Sequence, residues 1–441
     1  MTRSLRAPPS PAATAEIELK LRVPPAQLQK VLGSKLLRVN AAARSLRLGA
    51  TYYDTPGLEL WRNHVTLRVR REGRNWVQAV KGEGSAQSGL HRRRELETVL
   101  RDASPDLSAL PRDSLTRLLR SRKVAAALAP VLHTDITRTL RMLAPAPGVL
   151  IEAAIDRGLI RSGRRRETVC ELELELKQGP VTALFDLAQE LLATLPLTLE
   201  HHSKAERGYA LCSARAAAPV KASAVRLARS MDAGDAFRAI AATTLAQVQG
   251  NARGLLDSAD PEFLHQMRVG LRRLRSALDL FHEQLGDAVA AHAAELRAIA
   301  AGLGAARDWD VLVTETLPRV TGSSATAALA AACDPARQSA RRKAKKLIKT
   351  NTYGIAMLAL GRWLATPQAT ASAPWREPSR AAAARILAAR YARVLKRGRG
   401  LAMQTPAELH RLRIAVKKLR YATEFFSDLF QVKAMAVQRA R

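Results

Sequence analysis

The chain has 441 residues, 47% of them hydrophobic, which is room for two or three domains with substantial cores. Lys and Arg outnumber Asp and Glu by 71 to 39, a net charge of +32, so an anionic partner is expected: nucleic acid, an anionic membrane surface or polyphosphate, with 4% aromatics arguing against base stacking. Three scattered cysteines exclude a disulfide framework or zinc site; without an apolar run of bilayer length or a secretory h-region, a cytoplasmic protein with no membrane insertion is expected.

In the first strand, Glu16-Ile17-Glu18-Leu19-Lys20, alternation sets Glu16, Glu18 and Lys20 on one face and Ile17, Leu19 and Leu21 on the other. Neighbouring carboxylates repel unless a cation lies between them, and a hard divalent ion is the natural candidate. A short helix from Pro24-Pro25 to about Leu32 follows, then a strand from Arg47 to Tyr53 ending in the turn Asp54-Thr55-Pro56-Gly57. Val65–Arg70 puts Thr66, Arg68 and Arg70 on one face; Trp76–Lys81 is a strand closed by Gly82-Glu83-Gly84; Arg93, Glu95 and Glu97 alternate along Leu90–Val99. A helical interlude is predicted over Arg112–Leu128, strands near Thr134–Arg141 and Val149–Arg157, and a last strand in which Glu171, Glu173, Glu175 and Lys177 alternate with leucines.

One such strand is explained by a solvated charged face. The whole set fits a closed barrel with a charged lumen. Glu for a divalent ion beside Arg and Lys for phosphate oxygens is the equipment of metal-assisted phosphoryl chemistry.

Five ordered motifs carry a family resemblance. Glu16-x-Glu18-x-Lys20, Tyr52-Tyr53-Asp54-Thr55-Pro56, Arg93-x-Glu95-x-Glu97, Glu171-Leu-Glu173-Leu-Glu175-Leu-Lys177 and Ser203-Lys204-Ala205-Glu206-Arg207-Gly208-Tyr209 resemble the CYTH domain of the triphosphate tunnel metalloenzymes. The resemblance implies an eight-stranded antiparallel β-tunnel hydrolysing a linear triphosphate with Mg2+ or Mn2+. It implies metal binding by Glu16, Glu18, Glu173 and Glu175, and phosphate contacts from Lys20, Arg68, Arg70, Lys81, Arg93, Arg138 and Lys204, with Arg47 a weaker candidate. Glu95, Asp156 and Glu171 are implied as metal ligands or water-orienting groups, unranked.

Beyond Ala214 the composition turns to Ala, Arg and Leu with helical periodicity. The expected division is a tunnel domain over 15–213, a linker over 214–226 and a helical domain over 227–441. The helical part holds an internal repeat: Asp260-Pro261-Glu262-Phe263-Leu264-His265-Gln266-Met267-Arg268 aligns with Thr405-Pro406-Ala407-Glu408-Leu409-His410-Arg411-Leu412-Arg413. Arg272-Arg273-Leu274-Arg275 continues against Lys417-Lys418-Leu419-Arg420 in the same register. Each copy opens with an N-cap and a proline at the first helical position. His265, Arg268, Arg272 and Arg275 form one stripe, and His410, Arg413, Lys417 and Arg420 its counterpart; Val269, Leu274, Leu278 and Phe281, with Ile414, Leu419, Phe425 and Phe426, are the expected core faces. Like charges on successive turns repel, and a polyanion would offset this. No carboxylate or Cys shares the histidine spacing, so metal binding there is not expected.

This half resembles the CHAD domain, a helical module associated with polyphosphate, through the two histidine helices and Leu303-Gly304-Ala305-Ala306-Arg307-Asp308-Trp309-Asp310. The resemblance implies polyphosphate binding by these stripes together with Arg273, Arg307 and Lys418. A counterpart of Leu303 in the second copy would fall beyond Arg441, so a truncated second repeat is expected, and Val432–Arg441 is unlike the family. The basic run Arg341-Arg342-Lys343-Ala344-Lys345-Lys346 suits a polyanion surface, nucleic acid or solubility equally. The expected function is inorganic triphosphate hydrolysis to diphosphate and phosphate, with polyphosphate bound by the helical half. The alternatives are thiamine triphosphate, RNA 5′-triphosphate or ATP cyclisation in the same tunnel, a non-catalytic polyphosphate scaffold, and nucleic-acid binding by charge alone.

Overall fold

The computed structural model describes residues 14–38, 44–87, 90–213, 218–285, 289–320, 323–366 and 373–430, which form two compact units parting at positions 217/218. The first is built on antiparallel strands: β1 (Thr14–Arg22), β2 (Arg44–Asp54), β3 (Thr66–Glu72), β4 (Asn75–Gln87), β5 (Leu90–Leu100), β6 (Ala129–Leu143), β7 (Leu150–Ser162) and β8 (Arg165–Gln178). They pair in the order β5-β4-β3-β2-β6-β7-β8-β1, and β1 pairs back onto β5, closing a ring of eight; a two-residue strand, β9 (Thr198–Leu199), joins the end of β1. Closure removes every full-length edge.

Alternation sorts the side chains as expected. Leu19, Leu21, Leu172 and Leu174 face outward and are fully buried, each worth about 1.5–3 kcal/mol, beneath a helix of the barrel's outer layer. A second outer cluster packs Leu60, Leu67, Val80 and Leu96 against Leu110, Leu115, Leu119 and Val124. The predicted helix over Arg112–Leu128 is only a 3-10 turn at Leu118–Arg120 and one turn at Arg122–Ala126. Asp113 accepts from Leu115 N and Thr116 Oγ1 donates to Pro111 O, local bonds that compete with helix. Strand β4 is not closed at Gly82 either. It runs through a register shift between Lys81 and Gly84, where a Cβ on Gly82 would meet Leu115 Cδ1 at 2.4 Å.

One end of the bore is apolar. Leu48, Ala50, Tyr52, Ile136, Ile160 and Val169 pack there against Ala205 and Tyr209. The motif Tyr53-Asp54-Thr55 explains itself here. Buried Asp54 accepts from Thr55 N, Leu60 N and Trp61 N, fixing helix α1 (Glu59–Arg62). Trp61 then stacks on Tyr209 with ring centroids 4.5 Å apart. Two longer helices complete this unit, α2 (Thr182–Thr194) over β1 and β8 and α3 (Lys204–Cys212) across the bore's apolar end; a Ser203–Glu206 capping box starts α3.

The second unit is helical: α4 (Ala233–Gly250), α5 (Pro261–Leu280), α6 (Ala290–Gly302), α7 (Gly304–Val311), α8 (Ser323–Ile348), α9 (Asn351–Ala365), α10 (Ser379–Gly398) and α11 (Pro406–Phe430), with shorter turns between. Helices α5 and α11 are the two histidine helices, paired with α4 and α10 respectively. Their core joins Phe237, Phe281, Trp375 and Phe426. Ile414, expected in the core, is 40% exposed. Among the described residues no helix is long and apolar enough to cross a membrane. Positions 214–217 of the expected linker and the segment 431–441 lie outside the described residues.

Candidate functional site: a charged cavity in the barrel

A cavity of about 550 Å³ occupies the bore, lined by Glu16, Glu18 and Lys20 of β1, Arg68 and Arg70 of β3, Lys81 of β4, Glu95 and Glu97 of β5, and Arg138 of β6. Glu152 of β7, Glu173, Glu175 and Lys177 of β8, and Lys204 of α3 complete its charged lining, with Tyr52, Thr66, Leu176 and Ala205 among the other walls. Register explains the convergence. Glu18 lies opposite Glu175, Glu175 opposite Glu152, and Lys20 opposite Glu173, so β1, β8 and β7 present a cross-strand row of three carboxylates.

The groups form two linked networks. Lys81 Nζ donates to Glu16 at 2.5 Å and pairs with Glu95 at 3.1 Å; Arg68 sits 3.4 Å from Glu95 and 3.7 Å from Glu97. Deeper, Arg138 grips Asp156 through two bonds of 2.7 and 2.6 Å and also holds Glu173, which takes Lys20 as well. Lys204 lies among Asp156 (2.6 Å), Glu173 (2.9 Å) and Glu171. Arg207 backs Glu171 at 2.5 Å.

These contacts set the proton affinities. Burial alone would raise Glu16, but the attraction of Lys81 outweighs it and holds the carboxyl at about 2. Burial likewise opposes Glu173, and Lys20, Lys204 and Arg138 together drive it well below the carboxylate range. Glu18 goes the other way: burial raises it, Lys20 only partly compensates, and Glu173 and Glu16 add repulsion. Burial also raises Glu175, beside Glu16 and Glu152, and Glu97, beside Glu95. In the row Glu18–Glu175–Glu152, Lys20 pairs with Glu18 at 2.6 Å and Lys177 pairs with Glu175 at 2.6 Å and Glu152 at 3.9 Å; the all-oxygen donor set fits a hard divalent cation. On the opposite wall, the Nε atoms of Arg68 and Arg70 are buried without an acceptor, and burial with repulsion from Arg68 lowers Arg70. Two crowded guanidiniums with idle donors fit an anion.

Of the residues singled out in the sequence, Glu16, Glu18, Lys20, Arg68, Arg70, Lys81, Glu95, Arg138, Glu173, Glu175 and Lys204 meet at this cavity. Arg47 does not: its strand turns it outward, 83% exposed and 3.7 Å from Asp135. Asp156 and Glu171 lie behind the lining; with Glu173 they bring carboxylate oxygens within 4.8 Å, but the ammonium of Lys204 already fills that trio. The Arg93 backbone pairs with Glu16, while its side chain lies outside the described ones. Glu152 and Lys177 were missed as site residues, although the spacing Glu152-x-x-x-Asp156 carried the same two-residue period.

In the helical unit, Lys417 is held below the usual lysine range by partial burial and by Arg413, Arg272 and Arg420, so Arg272 of α5 comes near the stripe of α11. His265 is lowered by burial, Arg307 and Arg272. His410, Arg272, Arg275, Arg413 and Arg420 are exposed. Three other candidates of this unit are engaged in ion pairs. Arg273 is 1% exposed and serves as an internal strut, donating to Gln247 at 2.9 Å and Ser223 O at 3.1 Å and pairing with Glu424 at 2.7 Å. Lys418 is tied to Asp279 at 3.0 Å, and Arg307 to Glu315 at 2.6 Å. Of the basic run, Arg341 and Lys345 are spent on Asp310 and Leu256 O.

Comparison with known proteins agrees with this architecture. The CYTH domain profile matches residues 14–209 and the CHAD domain profile residues 239–441. An inorganic triphosphatase of Haemophilus influenzae is 34% identical over 200 residues, 45% of this chain and 55% of the relative. An uncharacterized protein of Mycobacterium tuberculosis is 27% identical over 323 residues, 69% of this chain and 60% of the relative; the chain thus spans little more than half of either relative's length. The solved CHAD domain of the plant Ricinus communis is 37% identical, covering 48% of this chain and 71% of that one with a TM-score of 0.42. The chain is a CYTH–CHAD protein, its CYTH domain followed by its CHAD domain.

Proposed function

We propose that the barrel cavity hydrolyses inorganic triphosphate to diphosphate and phosphate with a divalent metal, Mg2+ or Mn2+, and that the protein works in the cytoplasm. The observation that carries this is the meeting, in one cavity, of the carboxylate row Glu18–Glu175–Glu152 with Arg68 and Arg70, whose buried Nε donors have no acceptor. The Haemophilus influenzae relative, an inorganic triphosphatase, lends support. Arg68, Arg70, Lys81 and Arg138 would bind phosphate oxygens and neutralise charge developing at the bridging oxygen that leaves. Glu16, Glu18, Glu175 and Glu152 would hold the metal, which supplies Lewis acidity when bound. A water oxygen forms the new bond to the terminal phosphorus, the bridging P–O bond breaks, and the water's proton goes to a cavity carboxyl. Glu97 lines the cavity outside the proposed metal ligands, and burial beside Glu95 raises its proton affinity, so it is the available acceptor. Asp156 and Glu171 would position Lys204 and Arg138. Tyr52 is the aromatic side chain among the described lining residues, which favours an inorganic substrate over a thiamine or nucleotide ester.

The basic stripes of the helical unit, Arg272 and Arg275 on α5 and Lys417 and Arg420 on α11, are proposed to bind polyphosphate. The test is phosphate release by the full chain from triphosphate, ATP and thiamine triphosphate, with and without Mg2+ or Mn2+, alongside Glu18→Gln. Metal-dependent release from triphosphate that Glu18→Gln abolishes is expected. Binding without release in both proteins would leave a scaffold.

A further inference from the structure

The outer faces of β2, β6, β7 and β8 carry a grid of side chains that the cavity does not use. Alternation turns every second residue away from the lumen, and register aligns these residues in rows across the strands. In the first row Arg47 lies opposite Thr137, and Thr137 opposite Arg157. Two residues along, Gly49, Asp135, Leu159 and Thr168 stand in line. Two further along come Thr51, His133, Arg161 and Arg166. Thr51 and Leu159 are half-buried, and the rest of the grid is exposed. A solvated polar face is ordinary for an antiparallel sheet. This one differs in its charge. Arg161 and Arg166 stand directly opposite each other, a like-charge pair that weakens a sheet. They flank the hairpin turn in the run Arg161-Ser162-Gly163-Arg164-Arg165-Arg166, where Gly163 takes φ +54°. Arg165 is tied to Leu211 O and Ser213 O. The side chains of Arg157, Arg161 and Arg166 make no ion pair or hydrogen bond among the described residues. Against these cations the grid holds one carboxylate, Asp135, 3.7 Å from Arg47. A bound polyanion would offset the repulsion.

The spacing of the rows selects among polyanions. Four residues of strand separate the first row from the third, about 13–14 Å. The row between them has no cation and carries Asp135. A polyphosphate thread or a plane of lipid headgroups laid over this face would press phosphate onto that carboxylate. Two phosphate rails either side of a groove would not, and the major groove of a duplex is about 12 Å wide. The outer rows then meet the rails, while Asp135 faces base edges, where a carboxylate accepts from an amino group. The same groove admits a two-stranded ribbon such as the β7–β8 hairpin.

We propose that this outer face of the barrel binds duplex nucleic acid through its phosphate backbone, with Arg47 and Arg157 on one rail and Arg161 and Arg166 on the other. The probes are short fluorescently labelled DNA and RNA duplexes of one sequence, titrated into the full chain at several salt concentrations with anisotropy as the readout. The test variant combines Arg157→Gln, Arg161→Gln and Arg166→Gln. A control variant removes the same charge elsewhere on this unit, through Arg112→Gln, Arg117→Gln and Arg122→Gln. All six arginines are exposed, so circular dichroism and the thermal midpoint of both variants stay those of the parent. Saturable binding is expected, weakened at least tenfold in the test variant, with the slope of log affinity on log salt reduced by about three. The control should leave that slope unchanged. Absence of saturable binding overturns the proposal. Equal loss in both variants also overturns it, because net charge then explains the attraction. So does a loss seen only with polyphosphate at matched phosphate concentration, which assigns the face to that polymer. Within the expected result, tighter binding of the DNA or of the RNA names the source.

Discussion

Replacing Lys204 with Met tests the electrostatic logic of the barrel most directly. The ammonium lies among Asp156, Glu171 and Glu173, all buried, and is itself only 13% exposed. Removing it leaves three carboxylates served by Arg138, Arg207 and Lys20. Removing one partner from a buried ionic network costs about 3–5 kcal/mol, because the remaining charges stay desolvated. For a unit of this size that is roughly 6–20 °C in thermal midpoint. The assay is differential scanning calorimetry of the full chain, following the transition that moves. With the ammonium gone, the trio's oxygens, within 4.8 Å of one another, are free to take a divalent cation. Mg2+ or Mn2+ should then restore part of the lost midpoint, and far more than it adds to the parent. A variant melting within about 2 °C of the parent, or one that metal does not lift, would refute the account of Lys204 as the internal counter-ion.

Glu16, held at about 2 against an ordinary value of 4.5, contributes stability above the ordinary value that is lost as pH falls from about 4.5 towards 2; Glu16→Gln should flatten the acid limb of a stability–pH curve read by urea midpoints. Arg273→Met should destabilise the helical unit by about 3–5 kcal/mol, whereas Arg272→Ala should leave its melting unchanged and lower polyphosphate affinity, reducing the salt slope by about one. Asp54→Ala should cost about 3 kcal/mol or more by orphaning three backbone donors, seen as a lower denaturant midpoint with unchanged slope.

Much of the barrel was legible because a strand's period is two. Once Glu16, Glu18 and Lys20 share a face, the leucines between them must share the other, and both are found as expected. Legibility stopped where partners lie far apart in sequence. That Glu18 faces Glu175 and then Glu152 depends on register, which the chain states nowhere locally. Arg47 was read as a phosphate ligand although its parity opposes that of Tyr52, which faces the cavity. Arg273 was counted with its neighbours Arg272 and Arg275, yet lies one hundred degrees around the helix, and its partner Glu424 is on the other histidine helix. Gly82 looked like a turn because glycine marks bulges and turns alike.

The seam of the barrel is the strand that begins it. Thr14–Leu19 is zipped to Leu90–Glu95 on one flank, and Glu18–Arg22 to Glu171–Glu175 on the other. Loop-closure entropy must be spent on both spans before either is repaid, so the ring shuts late and slowly. Until it shuts, half of the acidic wall has nothing to face. A nascent chain lacking β8 has neither Glu173 nor Glu175 to set beside Glu16 and Glu18.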